Sequence, residues 1–202
     1  MAFFDNTRKP IGIGGKIMVS MMNFGHRALA EWGFRFLELK TSAKILDCGC
    51  GGGANIRKLL NKHPQVSVTG IDYSPVSVEK SRKLNTKAIE EGRCRVFEGS
   101  VAELPYSEAQ FDAATAFETV YFWPNLPHCF QEVWRVLKPS GIFLICNEAN
   151  GEVAKDNKWT EIIAGMTIYN DIELRVALEQ AGFHDIRIHK NQKGWLCVTG
   201  QK

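Results

Sequence analysis

Residues 45–56, ILDCGCGGGANI, concentrate residue types that bind ligands and metals in proteins. The stretch holds four glycines, two cysteines and one aspartate. A phosphate cradle, a dinucleotide-binding turn, a metal knuckle and another kind of cofactor-binding turn all use some of these residues. The spacing decides which of the four alternatives remain.

Two of the four alternatives are disfavoured by that spacing. Cys48 and Cys50 are one residue apart, and no second cysteine or histidine pair stands at metal-ligand spacing. We therefore expect buried thiols here, and no metal. A Walker phosphate loop is excluded, because no lysine followed by serine or threonine closes the glycine run.

Two interpretations of the glycine run remain. Gly49, Gly51 and Ala54 fit G-x-G-x-x-A, a dinucleotide fingerprint that is weak by itself. Asp47, Gly49, Gly51 and Gly53 fit D-x-G-x-G-x-G. In both, an apolar strand enters a tight glycine turn and a helix follows, so that backbone N–H groups face a ligand.

Length and composition bound the class of protein. The chain has 202 residues, of which 45% are hydrophobic and 23% charged, as in ordinary globular domains. Its net charge of +3 is too small to indicate a nucleic-acid partner. No apolar run could span a bilayer, and the first residues lack a signal-peptide core. Six cysteines in mostly apolar runs are typical of reduced thiols, so we predict a cytoplasmic protein.

Short apolar runs alternate with helical patterns, which predicts a sheet with crossover helices. Five runs with few charges are typical of parallel strands buried on both faces: residues 43–49, 66–72, 93–99, 111–117 and 141–147. The tail has two strand-like runs joined by NQKG, which predicts an antiparallel hairpin. The expected fold is α/β: a Rossmann-like, doubly wound, mostly parallel seven-stranded sheet with helices on both faces.

The intervening segments show recognisable helix ends. One helix is predicted between Ser74, a capping residue, and Gly92. A second carries apolar residues at helical spacing as far as Leu137, and Pro139 and Gly141 end it.

Two segments fall outside the sheet pattern, and both are lid candidates. The N-terminal segment places five apolar residues on roughly one helical face: Met18, Met22, Leu29, Trp32 and Phe36. The insertion 149–169 is longer than most connections, and such lengths are usually functional or partly helical. We expect one domain over 1–202: a helical lid (1–40), a cofactor-binding core (41–148), an insertion or lid (149–169), and the last helix and hairpin (170–202).

The D-x-G-x-G-x-G pattern resembles the first motif of the class I S-adenosylmethionine-dependent methyltransferases, and the resemblance continues along the chain. GIDYS, with Asp72, is similar to the end of the family's second strand. EGSVAELPYSEAQFDAATAF and VWRVLKPSGIFLI are similar to its third-to-fourth-strand region and its turn into the fifth strand. LEQAGFHDIRI and the hairpin are similar to its closing elements. The resemblance covers residues 43–148 and 170–202.

The resemblance implies an S-adenosylmethionine site at the carboxyl ends of the strands. The implied cofactor-binding residues are Asp47, Gly49, Cys50, Gly51, Gly53, Asp72, Tyr73, Ser100, Val101 and Glu118. Asp72 would accept the ribose hydroxyls, and Tyr73 would lie against the adenine. Ser100 stands where the family usually has Asp, which alters or weakens the contact with adenine.

The same resemblance places the ends of the fourth and fifth strands beside the transferred methyl group. Glu118 and Glu148 would share one pocket, where burial raises the pKa of one carboxyl or where both hold an amine. Glu118, Tyr121 and His26 are the candidate catalytic residues. Structural roles stay open: Glu118 as a helix cap or a contact of the cofactor's ammonium group, and His26 as a packing residue.

These observations predict an enzyme that transfers a methyl group from S-adenosylmethionine to a small molecule, an amine or an aromatic hydroxyl. ETVY stands where enzymes that methylate amino groups of nucleic acids carry their Pro-Pro-Tyr motif. We expect no nucleic-acid partner, no membrane association, and a monomer or homodimer. The alternatives are a cofactor-binding sensor or scaffold and an NAD(P)-dependent oxidoreductase, the latter disfavoured by Asp47 and the hairpin.

Overall fold

The computed structural model describes residues 25–152 and 154–202. Within them lies one seven-stranded sheet. Its strands are β1 (Lys44–Cys48), β2 (Ser67–Asp72), β3 (Cys94–Glu98), β4 (Phe111–Phe117), β5 (Leu137–Asn147), β6 (His184–Lys190) and β7 (Leu196–Gln201). The spatial order is β3-β2-β1-β4-β5-β7-β6. The first five strands are parallel, and β7 is antiparallel to both β5 and β6. The predicted fold class is confirmed.

Helices cover both faces of the sheet. They are α1 (Arg27–Gly33), α2 (Ala54–Lys62), α3 (Pro75–Leu84), α4 (Thr86–Glu90), α5 (Leu126–Val136), α6 (Ala154–Ile162) and α7 (Asp171–Gln180), with 3-10 turns at Phe34–Phe36 and Val120–Phe122. Neighbouring residues of β1 point to opposite faces: Ile45 packs with the side chains of α1 to α4, and Leu46 with those of α5 and α7. The buried strands therefore bind a layer of helices on each side.

Two element boundaries differ from the sequence prediction. The helix expected up to Gly92 is interrupted at Asn85, whose backbone angles (φ −112°, ψ 20°) are not helical. Leu137, expected in a helix, is extended (φ −75°, ψ 143°) and opens β5, where it pairs with Phe111. Pro139 accounts for the end of the helix here, because a proline disfavours the helical conformation in the residue before it, Lys138, and helices usually end at or before that residue.

The described end of the N-terminal segment, residues 27–36, packs against the sheet. Leu29 is fully buried, and Trp32 is buried beside it. The ring of Phe36 stacks on the imidazole of His189, with 3.8 Å between centroids. Met18 and Met22, the other two residues of the expected helical face, lie outside the described residues. A lid role for residues 1–40 stays a prediction.

Two predictions from composition concern thiols and membranes. The six cysteines, all in the described part of the chain, are free and buried, as predicted. Across the described ranges, no helix combines the length and the apolar character that crossing a membrane requires.

A substitution at Gly33 measures how closely α1 packs against the sheet. A Cβ atom at Gly33 would lie 2.7 Å from Cys146 Sγ and 2.9 Å from Phe117 Cε1, so we expect Gly33→Ala to destabilise the fold by about 1–3 kcal/mol through overpacking. Gly25→Ala is the control, because a Cβ there meets no described atom within 4 Å. Urea unfolding of both variants measures the difference. Equal stabilities would contradict the close packing of α1 on β5.

Candidate functional site

The glycine turn between β1 and α2 has left-handed backbone at Gly49 (φ 73°), Gly51 (φ 51°) and Gly53 (φ 78°). A Cβ atom on Gly49 would lie 2.1 Å from Thr119 Oγ1, and one on Gly53 would lie 2.3 Å from Ser81 Oγ. A Cβ on Gly51 would meet no described atom within 4 Å. The outer glycines thus allow close packing within the protein, whereas Gly51 presents its backbone to open space, where a ligand can approach.

Asp72, at the end of β2, holds this turn. Its Oδ2 accepts a 2.8 Å hydrogen bond from the Gly51 N–H, and its Oδ1 accepts a 2.9 Å bond from the Ser74 N–H. Burial raises the pKa of Asp72, and the two backbone donors oppose that rise. Each carboxylate oxygen can still accept a further bond. Tyr73, beside it, is 38% exposed.

Asp47, at the end of β1, is a buried carboxyl group with one free oxygen. Its Oδ1 accepts a 2.7 Å bond from the Thr115 hydroxyl, while its Oδ2 has no hydrogen-bond partner among the described residues. Burial raises the pKa of Asp47 to about 6; the Thr115 bond lowers it, and the charge of Asp72 adds to the rise. A buried acceptor without a donor is uncommon in native structures, and a ligand donor would satisfy it.

The remaining residues predicted on the cofactor side surround this turn. Cys50 is buried, and burial holds the pKa of its thiol well above the ordinary value, so the thiol stays protonated. Beyond β3, the Gly99 N–H donates to the Asp72 carbonyl at 3.0 Å. Ser100 is exposed, and its hydroxyl accepts a 3.2 Å bond from the Ala102 N–H. Val101 is buried beside it.

Glu118 follows β4 in a left-handed conformation (φ 57°), and its backbone N–H donates to the Cys146 carbonyl at 3.0 Å. Its Oε1 accepts hydrogen bonds from the Tyr121 hydroxyl, at 3.0 Å, and from the Glu148 N–H. Its Oε2 lies 3.8 Å from His26 Nε2. The three predicted catalytic side chains therefore meet at one carboxylate.

The electrostatics of this cluster give its members different roles. Burial raises the pKa of Glu118, while the charge of His26, the Glu148 N–H and the Tyr121 hydroxyl oppose the rise. Tyr121 is 3% exposed, and burial together with Glu118 holds the pKa of its hydroxyl far above 10. The Tyr121 hydroxyl also accepts a 3.0 Å bond from the Ala149 N–H. Tyr121 therefore keeps its proton and orients Glu118.

Ligand atoms of His26, Glu118 and Glu148 all lie within 4.8 Å of one another. One imidazole and two carboxylates at this spacing are also a set of ligands that could hold a metal ion. The absence of a metal stays a prediction for this site.

Comparison with known proteins adds independent observations. Residues 46–145 match the family described as "Methyltransferase domain". The 24-methylenesterol C-methyltransferase 2 of Arabidopsis thaliana is 30% identical over 138 residues, which are 67% of this chain and 38% of that protein. The 27-O-demethylrifamycin SV methyltransferase of Amycolatopsis mediterranei is 32% identical over 153 residues, 72% of this chain and 56% of that protein. The chain belongs to the class I S-adenosylmethionine-dependent methyltransferases.

A solved structure shows the same fold. Phosphoethanolamine N-methyltransferase 2 of Haemonchus contortus, in complex with S-adenosyl-L-methionine, superposes with a TM-score of 0.80 and 15% identity. The alignment covers 100% of this chain and 60% of that one. The present chain spans less than half the length of three curated sterol methyltransferases that it matches: 38%, 46% and 30%.

The methyltransferase motifs in the sequence did not indicate the residues that support the site. Thr119 packs under Gly49 and accepts a 3.1 Å bond from Trp123 Nε1, and Thr115 donates to Asp47. Asn85 donates to the carbonyl of Gly53. The glycine spacing carries no signal for these contacts, since they come from separate elements. An Asn in the middle of an expected helix was the one available signal.

Asp47 links stability to pH. The pKa of Asp47 is near 6 in the folded protein and near 3.8 in the unfolded chain. Ionisation of Asp47 therefore does not lower the stability of the fold well below pH 4, and lowers it fully above pH 6. Asp47→Asn removes this dependence. Its stability relative to the native chain should rise by about 2 kcal/mol between pH 4 and pH 7.5, since each pKa unit contributes about 1.4 kcal/mol and part of the effect is already present at pH 4. Urea unfolding at the two pH values measures this.

Asp112→Asn is the control of opposite sign. Lys138 and the Lys44 N–H lower the pKa of Asp112 against its desolvation, so Asp112 stabilises the fold above its unfolded pKa and loses that contribution in acid. The loss of stability in Asp112→Asn, relative to the native chain, should be larger at pH 7.5 than at pH 4. A pH-independent difference for Asp47→Asn would contradict the shifted pKa.

Proposed function

We propose that this chain binds S-adenosylmethionine and transfers its methyl group to a small-molecule acceptor. The observation that carries the proposal is the glycine turn, which Asp72 holds through the Gly51 N–H while the face of Gly51 stays open. Family membership supports the choice of cofactor. Because the chain spans only part of its curated relatives, the activity is a proposal for the chain itself.

The residues around the turn fit the groups of this cofactor. We assign Asp72 to the ribose hydroxyls, since each of its oxygens can accept another bond. Tyr73, with Ser100 and Val101, lies on the adenine side. The free Oδ2 of Asp47 is an acceptor for a cationic donor, and the ammonium group of the methionine part is one. The backbone of residues 49–53, which include Cys50, allows the cofactor to approach closely.

S-adenosylmethionine supplies a methyl group already activated on a sulfonium sulfur. The acceptor's lone pair forms the new bond to the methyl carbon, and the electrons of the broken carbon–sulfur bond remain on sulfur. The protein must align the two partners and exclude water. An amine or hydroxyl acceptor also loses a proton, which we assign to Glu118, with His26 as its partner and Tyr121 as its orienting donor.

The acceptor is proposed to be a small molecule bound at the ends of β4 and β5. By their names, two relatives methylate a sterol and a rifamycin precursor, so the family includes small organic acceptors. The insertion 149–169 reaches this rim, because the Thr167 N–H donates to the Tyr121 carbonyl at 2.9 Å. We propose that this insertion and residues 1–40 close over the acceptor. A cytoplasmic monomer or homodimer remains our expectation.

Calorimetric titration tests the cofactor directly. We expect micromolar binding of S-adenosylmethionine and S-adenosylhomocysteine, and none of NAD. Asp72→Asn should weaken both by at least about tenfold, because it removes one or more bonds to a charged acceptor, each of about 1.5–3 kcal/mol. Asp112→Asn is the control, because it also changes a carboxylate that accepts a backbone N–H but lies at the opposite end of the strands. This variant should bind S-adenosylmethionine as the native chain does. Binding of NAD alone would overturn the assignment.

Glu118→Gln tests the acceptor side. With labelled S-adenosylmethionine and a panel of small amines and hydroxyl compounds, kcat should fall about 100-fold or more, as for loss of a general base. Cofactor affinity separates this role from the predicted cofactor contact of Glu118: an unchanged Kd for S-adenosylmethionine supports proton transfer alone, and a raised Kd indicates that Glu118 also holds the cofactor. In the native chain kcat/KM should fall in acid, with a midpoint above 4.5, because burial raises the pKa of Glu118. Glu118→Gln should not show this decrease of kcat/KM in acid.

Tyr121→Phe should give a smaller loss of kcat, since Glu118 keeps the Glu148 N–H as a donor. Tyr106→Phe is its control, because the buried Tyr106 hydroxyl has no hydrogen-bond partner in the described part of the chain. Unchanged turnover in Glu118→Gln would remove Glu118 from the proton-transfer role. Cofactor binding without turnover on any acceptor would favour a sensor.

A further inference from the structure

The interruption between α3 and α4 brings one side chain under the glycine turn. Asn85 stands where the sequence predicts a continuous helix, and it is only 3% exposed. Its Nδ2 donates to the Gly53 carbonyl at 3.1 Å and to the Ser81 carbonyl at 2.9 Å. The residue with non-helical backbone angles between α3 and α4 is therefore also the residue whose side chain bonds to the cofactor turn.

The Gly53 carbonyl also begins α2. It accepts the Arg57 N–H at 3.1 Å, which is the first hydrogen bond of that helix. Gly53 itself is the N-terminal flanking residue of α2 and makes no side-chain cap. The Asn85 amide is thus bonded to the atom at which turn becomes helix. The N–H groups of the first turn of a helix point away from its body, so fixing this carbonyl fixes their direction.

The packing around Gly53 leaves no room for a side chain. A Cβ atom there would lie 2.6 Å from Asn85 Nδ2 and 2.9 Å from the Cα of Ser81. The Asn85 Oδ1 is buried and has no hydrogen-bond partner among the described residues. Holding an unsatisfied amide oxygen in the interior is unfavourable, and a leucine in a continuous helix would avoid it. The donor bond to Gly53 is what the asparagine adds.

We propose that Asn85 is a positioning residue for the cofactor turn, acting through the Gly53 carbonyl and not through contact with the cofactor. The bond holds residues 50–54 and the start of α2 in the conformation that receives the ligand. The identity of that ligand rests on the proposed function above. The positioning role itself concerns the ligand-free protein and can be measured there.

The test compares Asn85→Asp with Asn150→Asp. Aspartate keeps the shape of asparagine but replaces the donor to Gly53 with an oxygen. Asn150 is the matched control: it is also 3% exposed, and its Nδ2 also donates to a backbone carbonyl, that of Gly194, at 2.9 Å. Asn85→Ser is the second variant, since serine is too short to reach Gly53 and carries no charge.

Hydrogen–deuterium exchange of the ligand-free protein is the first readout. We expect amide exchange in residues 49–57 to be at least about fivefold faster in both Asn85 variants and unchanged in Asn150→Asp. Calorimetry is the second: the Kd for S-adenosylmethionine should rise about fivefold to tenfold in the Asn85 variants, consistent with one lost hydrogen bond. With any acceptor, KM for the cofactor should rise while kcat at saturation is kept.

The outcomes separate the two proposals. If the native chain does not bind S-adenosylmethionine, the proposed function fails, and exchange in the turn still decides the role of Asn85. If all three variants lose stability but turn exchange and cofactor affinity match the native chain, Asn85 is a packing residue and the inference is wrong.

Discussion

The hydrogen bond from the Gly51 N–H to the Asp72 carboxylate is the constraint on which the candidate cofactor site depends. It joins the turn after β1 to the end of β2, two neighbouring parallel strands. Without it, a segment with three left-handed glycines in five residues would have many conformations of similar energy, and ordering it would carry a large entropic cost. The carboxylate that we propose as a ligand contact therefore also shapes the backbone of the turn beside it.

The turn is fixed on its other sides by residues from different elements. Gly49 lies against Thr119, and Gly53 lies against Ser81 and Asn85. Thr119 immediately follows Glu118, so the packing of Gly49 connects the turn to the cluster at the end of β4. In a parallel sheet all these carboxyl ends meet at one edge. The cofactor turn and the acceptor cluster are consequently parts of one packed structure.

The sequence predicted the elements whose signals are local. The five parallel strands, the hairpin and the glycine turn follow from apolar runs and turn residues, and the structure contains them. Burial on both faces was wrong for β3, which lies at the edge of the sheet and leaves Arg95, Phe97 and Glu98 exposed. The break at Asn85 was missed because it depends on a bond to Gly53, 32 positions away, which helical periodicity does not encode. Leu137 was assigned to a helix because its apolar spacing continues that of the helix before it. Pro139 does not allow the helix to continue, and Leu137 opens β5 instead. Family resemblance predicted that Glu118 and Tyr121 lie beside the site. His26 lies outside the residues that the resemblance covers and was a candidate only as a histidine near the start of the expected lid helix, so its approach to Glu118 comes from the structure.

Two buried carboxyl groups face the site, and their surroundings suit them to different tasks. Glu118 accepts bonds from Tyr121 and Glu148 and faces His26, so its ionised form is stabilised within the protein. Asp47 has one donor, Thr115, and a free oxygen, and its pKa rises to about 6. A cation bound beside Asp47 would satisfy that oxygen and favour the ionised form, so part of the binding energy would offset the cost of burying the charge. Asp47 is therefore suited to holding a positively charged group in place. Glu118 is oriented by its donors, and burial raises its pKa despite them, so it is suited to accepting a proton and releasing it.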